Sequence, residues 1–420
     1  MRPRLGLHRN CGEGTRMEPC FLDFQLSNEE QHYLNLTREV CEEVIVPTRA
    51  ALDENGDFPE QVFERFREVG LFRAVSAARD GGLGLHPLMP ILIAEIIGEY
   101  CLGVGTIFGV SALLAPLPIQ LGGTEEQKQK YLPKLASGEW LGSFAMTELE
   151  AGSDITSLST TAVKKGDRYV LNGAKKWITN AGRADVYCIL AITDPTKDPR
   201  AGMSCFLVEK NSHGMTFGKL ENKLGLRCVP NRPIILENVE VPEENLIGMK
   251  VNKGFTLALQ SLTRSRVMVA ALGVGLASGA YAEAARYTQQ RKQFGKRVNE
   301  FQVVQHMLAD IAVKIETARS MTYKAGWYAF VLEHPEASKY SAIAKYYSSE
   351  IAMQVATDAL QLHGGYGFVK ESPVEKMFRD AKVLSIYEGT SQMLKSQIAS
   401  SLLADQSRLQ RRALQYAATT

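Results

Sequence analysis

The middle of the chain contains the run VYCILAIT at positions 186–193, which is rich in the β-branched and aromatic residues that favour strands. Two similar runs follow, Gly202 to Val208 and Pro233 to Val241, and Gly, Pro, Asp or Asn bounds each of them. Strands this close together, without helix-length segments between them, favour an antiparallel sheet or barrel over parallel βαβ units. No G-x-G-x-x-G motif follows a strand, so a Rossmann nucleotide site is not expected.

Helical patterns lie on both sides of this β-rich segment. Before it, Ser27 and Thr124 each precede a Glu or Gln by three residues, which is the pattern of a capping box. After it, Ser372 to Glu375 predicts another capping box, with proline at the first helical position. Apolar residues at helical spacing predict one long buried helix face: Val304, Leu308, Ile311, Ile315 and Ala318. Long helices joined by short loops indicate a bundle.

These patterns predict an α+β fold with three domains. The N-terminal helical domain covers residues 24–140, the middle antiparallel β domain 141–253, and the C-terminal four-helix bundle 254–404. Residues 1–23 are predicted to be a disordered extension, although a short transit peptide or an upstream start codon before Met17 would explain the same residues. Residues 405–420 are predicted to be a tail of the same kind.

Composition and charge narrow the class of protein. The 420 residues are 45% hydrophobic and 22% charged, as in an ordinary globular chain. The net charge is +2, so neither nucleic acid nor an anionic membrane is an expected partner. The stretch from Leu88 to Ile97 is interpreted as the longest apolar one and is too short to span a bilayer. Seven dispersed cysteines without a C-x-x-C pair predict no metal site and reduced thiols, hence a cytoplasmic protein, or a mitochondrial matrix protein in a eukaryote.

Two segments of the β-rich region are candidates for ligand binding. Ala145 to Asp154 places small and hydroxyl residues after a β run, where backbone groups can approach a planar or phosphorylated ligand. A tight Gly-Ser-Asp turn is the alternative. Gly173 to Gly182 combines Trp177 with Thr179 and Asn180 on one strand, and core packing is the alternative there.

Two further candidates lie in the C-terminal helical region. In Arg291 to Lys296 a guanidinium beside an aromatic residue and a glycine could bind phosphate oxygens, or the segment could be a solvated charge run. Gln361 to Phe368 contains glycines that are costly in a helix unless a ligand or backbone comes close. Glu388 follows an apolar run, so its carboxylate could be partly desolvated with a raised pKa, or it could be a helix-terminal acid.

Together, these segments resemble the acyl-CoA dehydrogenase family over roughly residues 24–403. Ala145 to Asp154 matches the family's first signature and Gln361 to Asp380 its second. The resemblance implies FAD-dependent oxidation of an acyl-CoA thioester to the trans-2-enoyl-CoA, with Glu388 as α-proton base and the β-hydride passing to flavin N5. It also implies that the Glu388 backbone N–H and a flavin ribityl hydroxyl polarise the thioester. Isovaleryl and long-chain enzymes place the base where this chain has Ser265, so Glu388 is retained as the base.

The resemblance also implies which residues contact the ligands. The flavin is expected to be lined by Phe144, Met146, Thr147, Gly152, Ser153, Trp177, Thr179, Thr390 and Gln392. A second set is expected to reach the FAD of a neighbouring subunit, so that a dimer or tetramer forms: Arg291, Gln293, Phe294, Gln361 and Gly365. The expected substrate contacts are Ser153, Arg266 and Gly389.

The electron acceptor and the acyl group remain open at this stage. Electron-transferring flavoprotein is the expected acceptor, and an oxidase of the same fold is the alternative. A DNA-binding or assembly protein on this scaffold is disfavoured by the near-neutral charge and by the presence of Glu388. Val104 occupies the place where glutaryl-CoA dehydrogenases have arginine, which disfavours a short dicarboxylate. The small residues Gly103, Gly105 and Thr106 could admit a straight medium chain or a branched, cyclic or aromatic group.

Overall fold

The computed structural model describes residues 25–419, and for residues 407–419 it describes the backbone alone. The predicted extension over residues 1–23 lies outside the described residues. Within them, a helical domain, a β domain and a second helical domain follow one another, as the sequence predicts. The domain boundaries at residues 140 and 253 stay predictions.

The N-terminal domain consists of short helices, most of which share one apolar core with the C-terminal helical domain, while the last packs against the β domain. Both predicted capping boxes form: the Glu30 N–H donates to the Ser27 hydroxyl at 3.2 Å, and the Gln127 N–H donates to the Thr124 hydroxyl at 3.3 Å. These contacts fix the starts of the first and last helices of the domain. The helices are α1 (Asn28–Val40), α2 (Arg49–Asn55), α3 (Glu60–Glu68), α4 (Leu71–Ala74), α5 (Met89–Tyr100), α6 (Leu102–Gly109), α7 (Pro116–Gly122) and α8 (Glu125–Ser137).

The middle domain is one seven-stranded sheet, with the short helix α9 (Pro199–Gly202) before its fifth strand. Its strands are β1 (Gly142–Ala145), β2 (Thr161–Lys165), β3 (Arg168–Thr179), β4 (Val186–Ile192), β5 (Met203–Glu209), β6 (Met215–Phe217) and β7 (Asn231–Pro242). The three runs noted in the sequence are β4, β5 and β7. The order is β1-β4-β2-β3-β7-β6, with β5 on β4.

The prediction of a purely antiparallel sheet is wrong in one part. Most pairs are antiparallel, but β1 pairs with β4 in parallel, Gly142 opposite Val186, and the start of β2 also joins β4 in parallel. The β2–β3 hairpin lies between β1 and β4 in the chain and returns the backbone to the end of the sheet where β1 began. A connection longer than a tight turn permits such a parallel pair.

The C-terminal domain is built from long helices, with a small hairpin of β8 (Lys292–Gln293) and β9 (Lys296–Arg297). Helix α12 is central and packs against α10, α11, α13 and α14. The apolar stripe predicted on α11 faces the core, with Ile311, Ile315 and Ala318 buried. The helices are α10 (Gly254–Gln290), α11 (Gln302–Gly326), α12 (Ala337–His363), α13 (Pro373–Leu384) and α14 (Ser391–Thr419).

Two predictions for this domain are wrong. Ser372 starts α13 without a side-chain cap, because Glu375 is bound instead by Arg379 at 2.7 Å on the next turn of the helix. The backbone of residues 405–419 continues α14 and does not form a disordered tail. The sequence of α14 contains no Gly or Pro that would end it, and Asp405 pairs with Lys339 of α12 at 3.0 Å.

Long apolar segments occur in the core. Leu102–Gly122 and Gly254–Gln290 have the length and composition of membrane spans, so the interpretation of Leu88 to Ile97 as the longest apolar stretch is wrong. Of their most apolar windows, 100% and 78% are buried inside the fold, which is the burial of core helices. Helix α10 approaches α5 so closely that a Cβ on Gly275 would lie 2.0 Å from the Glu95 carbonyl oxygen. This contact fixes the central helix that carries Ser265 and Arg266.

Candidate active site

Glu388 lies in the short turn that connects α13 to α14. Its φ is 51°, and that of Gly389 is 100°, so two successive residues occupy the left-handed region. Glycine adopts this conformation at little cost, whereas a non-glycine residue there must be held by its surroundings. The turn therefore directs the Glu388 side chain away from the course of either helix.

Side chains from two helices, α10 and α12, hold this turn. The Ser265 hydroxyl of α10 donates to the Glu388 carboxylate, Oγ to Oε2, at 2.7 Å. The next residue, Arg266, donates through Nε to the Glu388 carbonyl oxygen at 2.8 Å and through Nη1 to Gln397 of α14 at 2.9 Å. From α12, the Lys345 ammonium donates to the Gly389 carbonyl oxygen at 2.7 Å. The carboxylate is thus fixed by contacts with residues far away in the sequence.

The surroundings of Glu388 change its proton affinity in two directions. Burial raises the pKa of Glu388, while the Ser265 hydrogen bond and the charges of Arg266 and Lys345 lower it, and the net pKa is above the ordinary glutamate value. A carboxylate of this kind is a stronger base than an exposed one. The chemical capacity of the site is proton abstraction from a weak carbon acid.

The structure brings the two candidate segments of the β domain together. The Lys176 N–H donates to the Thr147 carbonyl oxygen at 2.9 Å, so the segment after β1 runs beside β3. Trp177 lies at an irregularity in the β3–β7 pairing, with φ 61°, and the residue is 54% exposed. Asn231 donates to the Trp177 carbonyl and to the Thr179 hydroxyl. Phe144 and Met146 are half-buried, and Gly152 and Ser153 are exposed on the adjoining loop.

A buried ion pair that no sequence pattern predicted supports this edge. Lys175 and Glu148 are both buried, with Nζ and Oε1 2.7 Å apart, and Lys175 also donates to the Met146 carbonyl oxygen at 3.2 Å. Although burial alone would raise it, the charge of Lys175 and hydrogen bonds from Ser159 and Thr160 hold the pKa of Glu148 to about 2. The pair therefore fixes the loop that carries Met146 and Thr147. A Thr-Glu sequence after a strand gave no signal that its glutamate is buried.

Most of the residues predicted to reach the FAD of a neighbouring subunit line one open cavity of about 520 Å³. The Arg291 guanidinium lies 5.4 Å from the centre of the Tyr366 ring, and His363 stacks on Tyr287 at 4.4 Å. Phe294 does not line this cavity; it projects from the β8–β9 hairpin and is 92% exposed. The lining includes four of the five predicted residues: Arg291, Gln293, Gln361 and Gly365.

This cavity is far from Glu388 within one chain. Lys345, which contacts the Glu388 turn, and Gln361, which lines the cavity, are 16 residues apart on α12. At 1.5 Å per residue, the two sites are roughly 24 Å apart. The structure therefore separates the predicted cofactor residues into two groups.

The remaining predicted residues adjoin the Glu388 turn. The Thr390 hydroxyl accepts a hydrogen bond from the Met393 N–H at 3.2 Å, and Gln392 is exposed on the first turn of α14. Arg266 is buried and bound to the Glu388 carbonyl, so it holds the turn, and its expected contact with CoA stays a prediction. The ligand contacts assigned to the other residues also stay predictions.

Comparison with known proteins assigns the chain. Residues 27–139, 143–239 and 252–403 match the N-terminal, middle and C-terminal domains of acyl-CoA dehydrogenases. The short-chain-specific acyl-CoA dehydrogenase of Clostridium acetobutylicum is 40% identical over 376 residues, 89% of this chain and 98% of that protein. The CarC subunit of the caffeyl-CoA reductase–Etf complex of Acetobacterium woodii is 41% identical over 369 residues, 88% and 94% of the two chains.

Solved structures show the same similarity. Butyryl-CoA dehydrogenase from Megasphaera elsdenii has a TM-score of 0.88 at 37% identity, covering 91% of this chain and all of that one. Acyl-CoA dehydrogenase complexed with FAD from Bacillus anthracis has a TM-score of 0.86 at 32% identity, covering 92% of this chain and 69% of that one. The fold and these matches define an oxidoreductase that acts on a CH–CH group. The chain belongs to the acyl-CoA dehydrogenase family.

Proposed function

We propose that the protein oxidises the Cα–Cβ bond of an acyl-CoA thioester to the trans-2-enoyl-CoA, with Glu388 as the base that takes the α-proton. The observation that carries this proposal is the half-buried Glu388 carboxylate, which Ser265 holds at 2.7 Å and whose pKa burial raises. An α-proton beside a thioester is weakly acidic, so the reaction needs both a strong base and a polarised carbonyl.

The backbone of the same turn supports the second requirement. Within the described part of the chain, the Glu388 N–H donates to no other group, while the Glu388 carbonyl is already bound by Arg266. This N–H is therefore available to the thioester oxygen on which negative charge develops. Base and donor belong to one residue, so a single turn sets their relative positions.

FAD is the proposed cofactor, and when bound it would accept the β-hydride at flavin N5. The residues at the β-domain edge fit a planar ring system: the Trp177 ring is open to solvent, and no atom lies within 4 Å of a Cβ placed on Gly152. Arg291 in the open cavity fits a phosphate group. Because about 24 Å separate that cavity from Glu388, we propose that Arg291 serves the cofactor of a neighbouring copy, in a dimer or tetramer.

We propose a short, straight-chain acyl-CoA as the substrate class. The similarity to the short-chain-specific and butyryl-CoA enzymes supports this choice. The small residues of α6 give no extra room for a bulky group, because a Cβ on Gly103 would lie 2.6 Å from the Cys228 sulfur, and one on Gly105 would lie 2.4 Å from Leu272.

A second candidate is the reverse reaction, reduction of an aryl-acrylyl-CoA. The 41% identity to the CarC subunit favours it specifically, as does 38% identity to a 3-(aryl)acrylate reductase of Clostridium sporogenes. For either direction, electron-transferring flavoprotein is the proposed redox partner, since CarC works in an Etf complex. An acyl-CoA oxidase would instead pass its electrons to oxygen.

Anaerobic titration of the purified protein tests the proposal. The protein should be yellow, and its visible flavin band should bleach on addition of butyryl-CoA more completely than with long-chain, glutaryl or 3-arylpropionyl thioesters. Fastest bleaching by the aryl thioester would favour the second candidate. Peroxide formation during aerobic turnover would identify an oxidase. A protein that cannot be loaded with FAD would refute the enzymatic function.

A further inference from the structure

Lys345 is a fully buried lysine close to Glu388. It lies on α12 with no exposed surface, and its ammonium donates to the Gly389 carbonyl oxygen at 2.7 Å. Burial of an ammonium group is costly unless its hydrogen bonds are satisfied. A lysine at this position therefore needs a reason other than packing.

The partner of Lys345 distinguishes it from the other fully buried lysine. Lys175 forms an ion pair with Glu148 at 2.7 Å. Within the described part of the chain, Lys345 has no carboxylate within 4 Å, and its partner is the backbone of the Glu388 turn. A backbone carbonyl does not neutralise the ammonium. The contact places a strong donor on one particular peptide group.

The charged and titratable groups around Lys345 come from three elements. Glu388 faces it from the turn and Arg266 from α10, while Glu350 lies on α12 itself. The Tyr387 ring centre is 6.0 Å from the ammonium. Burial lowers the pKa of Lys345 to about 7, the charge of Arg266 lowers it as well, and the two carboxylates raise it.

The turn that Lys345 holds is conformationally unfavourable. Glu388 is a non-glycine residue with positive φ, and such a conformation persists only where the surroundings impose it. Arg266 binds the Glu388 carbonyl at 2.8 Å, and Lys345 binds the next carbonyl at 2.7 Å. Successive carbonyl groups are thus held from two different helices, and the hydrogen bond from Lys345 survives its deprotonation because a neutral amine also donates.

We propose that Lys345 is a positioning residue for Glu388: by holding the Gly389 carbonyl, it fixes the direction of the Glu388 carboxylate and of the Glu388 N–H. This inference rests on the function proposed above. While it is charged, Lys345 also favours the ionised form of Glu388, which is the form that accepts a proton.

The test compares Lys345→Met with Lys339→Met. Both lysines lie on α12, but Lys339 pairs with Glu336 and with Asp405 at 3.0 Å, away from the turn. Lys345→Met removes a buried charge and keeps the length of the side chain, so it should fold and retain FAD. Lys345→Gln, which keeps a neutral donor, is the second variant, and thermal unfolding checks all three.

Two measurements report on positioning. The first is the pH profile of anaerobic flavin reduction by the thioester that reduces the wild type fastest. The second needs no flavin reduction: acetoacetyl-CoA has an acidic α-proton, and its enolate, formed when Glu388 takes that proton, is measured by ultraviolet absorption as a function of pH. The second measurement reports proton removal by Glu388 even if hydride transfer is blocked.

We expect Lys345→Met to reduce flavin about 10- to 100-fold more slowly, since a misplacement near 1 Å can cost about 100-fold. Both pH midpoints should move upward, because loss of the cation raises the pKa of Glu388. Lys345→Gln should recover part of the rate but keep the shifted midpoints. Unchanged midpoints in Lys345→Met, or the same changes in Lys339→Met, would overturn the inference. A wild type that no acyl-CoA reduces would instead refute the proposed function.

Discussion

Two turns of this chain have nearly the same backbone conformation and very different surroundings. Glu388 and Gly389 have φ values of 51° and 100°, and Phe294 and Gly295 have values of 51° and 80°. At the first turn, three side chains from two helices bind the backbone and the carboxylate. At the second, Phe294 is 92% exposed, and no atom lies within 4 Å of a Cβ placed on Gly295.

The two turns differ in how far residues of the same chain hold their backbone. A non-glycine residue with positive φ costs of order 1–3 kcal/mol unless its surroundings impose the conformation. The contacts of the Glu388 turn come from its own chain. The described residues cover the Phe294 turn only slightly. Under the proposed function, a neighbouring copy and its cofactor pack over it.

The largest effect is expected from a substitution that removes the proposed base, Glu388, from the enclosed turn. Glu388→Gln keeps the size and most hydrogen bonds but not the ability to accept a proton, so flavin reduction should slow by about two to four orders of magnitude. Stopped-flow reduction by butyryl-CoA measures this, with FAD content as a check of folding. Glu336→Gln is the control, since Glu336 binds Lys339 away from the turn and should leave the rate nearly unchanged. Comparable rates in wild type and Glu388→Gln would show that another residue is the base.

The second prediction concerns Arg291, the cation close to the exposed Phe294 turn. Arg291→Ala should weaken FAD retention by about 1.5–3 kcal/mol, the contribution of a hydrogen bond to a charged group. Flavin absorbance after gel filtration measures the loss, and light scattering of the apo-protein should show easier dissociation. Lys292→Ala is the control, because Lys292 is the exposed neighbour outside the cavity lining. Full flavin content in Arg291→Ala would contradict the phosphate contact.

The third prediction applies one substitution to both turns. Gly389→Ala adds a methyl group at φ 100° only 3.1 Å from Arg266 Nη2, so it should cost about 1–3 kcal/mol of stability and slow flavin reduction. Gly295→Ala meets open space, so only its backbone strain of about 1 kcal/mol is expected. Urea unfolding of both variants gives the difference. Equal losses would show that the surroundings of the first turn contribute little.

The smallest expected effect concerns the hydrogen bond to the carboxylate. Ser265 lowers the pKa of Glu388, so Ser265→Ala should raise that pKa further and move the midpoint of flavin reduction to higher pH. Below the new midpoint the rate should fall about 2- to 10-fold, for a bond contributing about 0.5–1.5 kcal/mol, and above it the rate should recover. Ser261→Ala, one turn earlier on α10, removes a hydroxyl bound only to the Leu257 carbonyl and should not shift the midpoint.

Local patterns predicted the parts of the fold that depend on local interactions. The capping boxes at Ser27 and Thr124 and the runs that form β4, β5 and β7 are correct, because adjacent residues satisfy them. The same reasoning failed at Ser372, where Arg379 binds Glu375 and also Asp53 of α2, 326 residues earlier in the chain. A competing partner that distant leaves no local pattern.

The candidate site shows the same limit. Glu388 could be singled out because an acid after an apolar run and before a glycine is unusual, and the resemblance to the family gave it a role. Lys345 gave no such signal, since a lysine on a long helix is ordinarily solvated. Its burial is visible only once α12 packs against α10 and the Glu388 turn.

The sequence by itself determined the order of helical and β domains and the family, and it singled out Glu388 as the proposed base, because apolar periodicity and motifs are local properties of the chain. Only the tertiary structure decided how that base is held: Ser265, Arg266 and Lys345 reach the turn from 123, 122 and 44 residues away. It also decided that Lys345, which holds the Glu388 turn, and Gln361, which lines the cavity with Arg291, are roughly 24 Å apart along α12. The physical reason is that burial and hydrogen-bond partners depend on which helices pack together, and short sequence patterns do not record that packing.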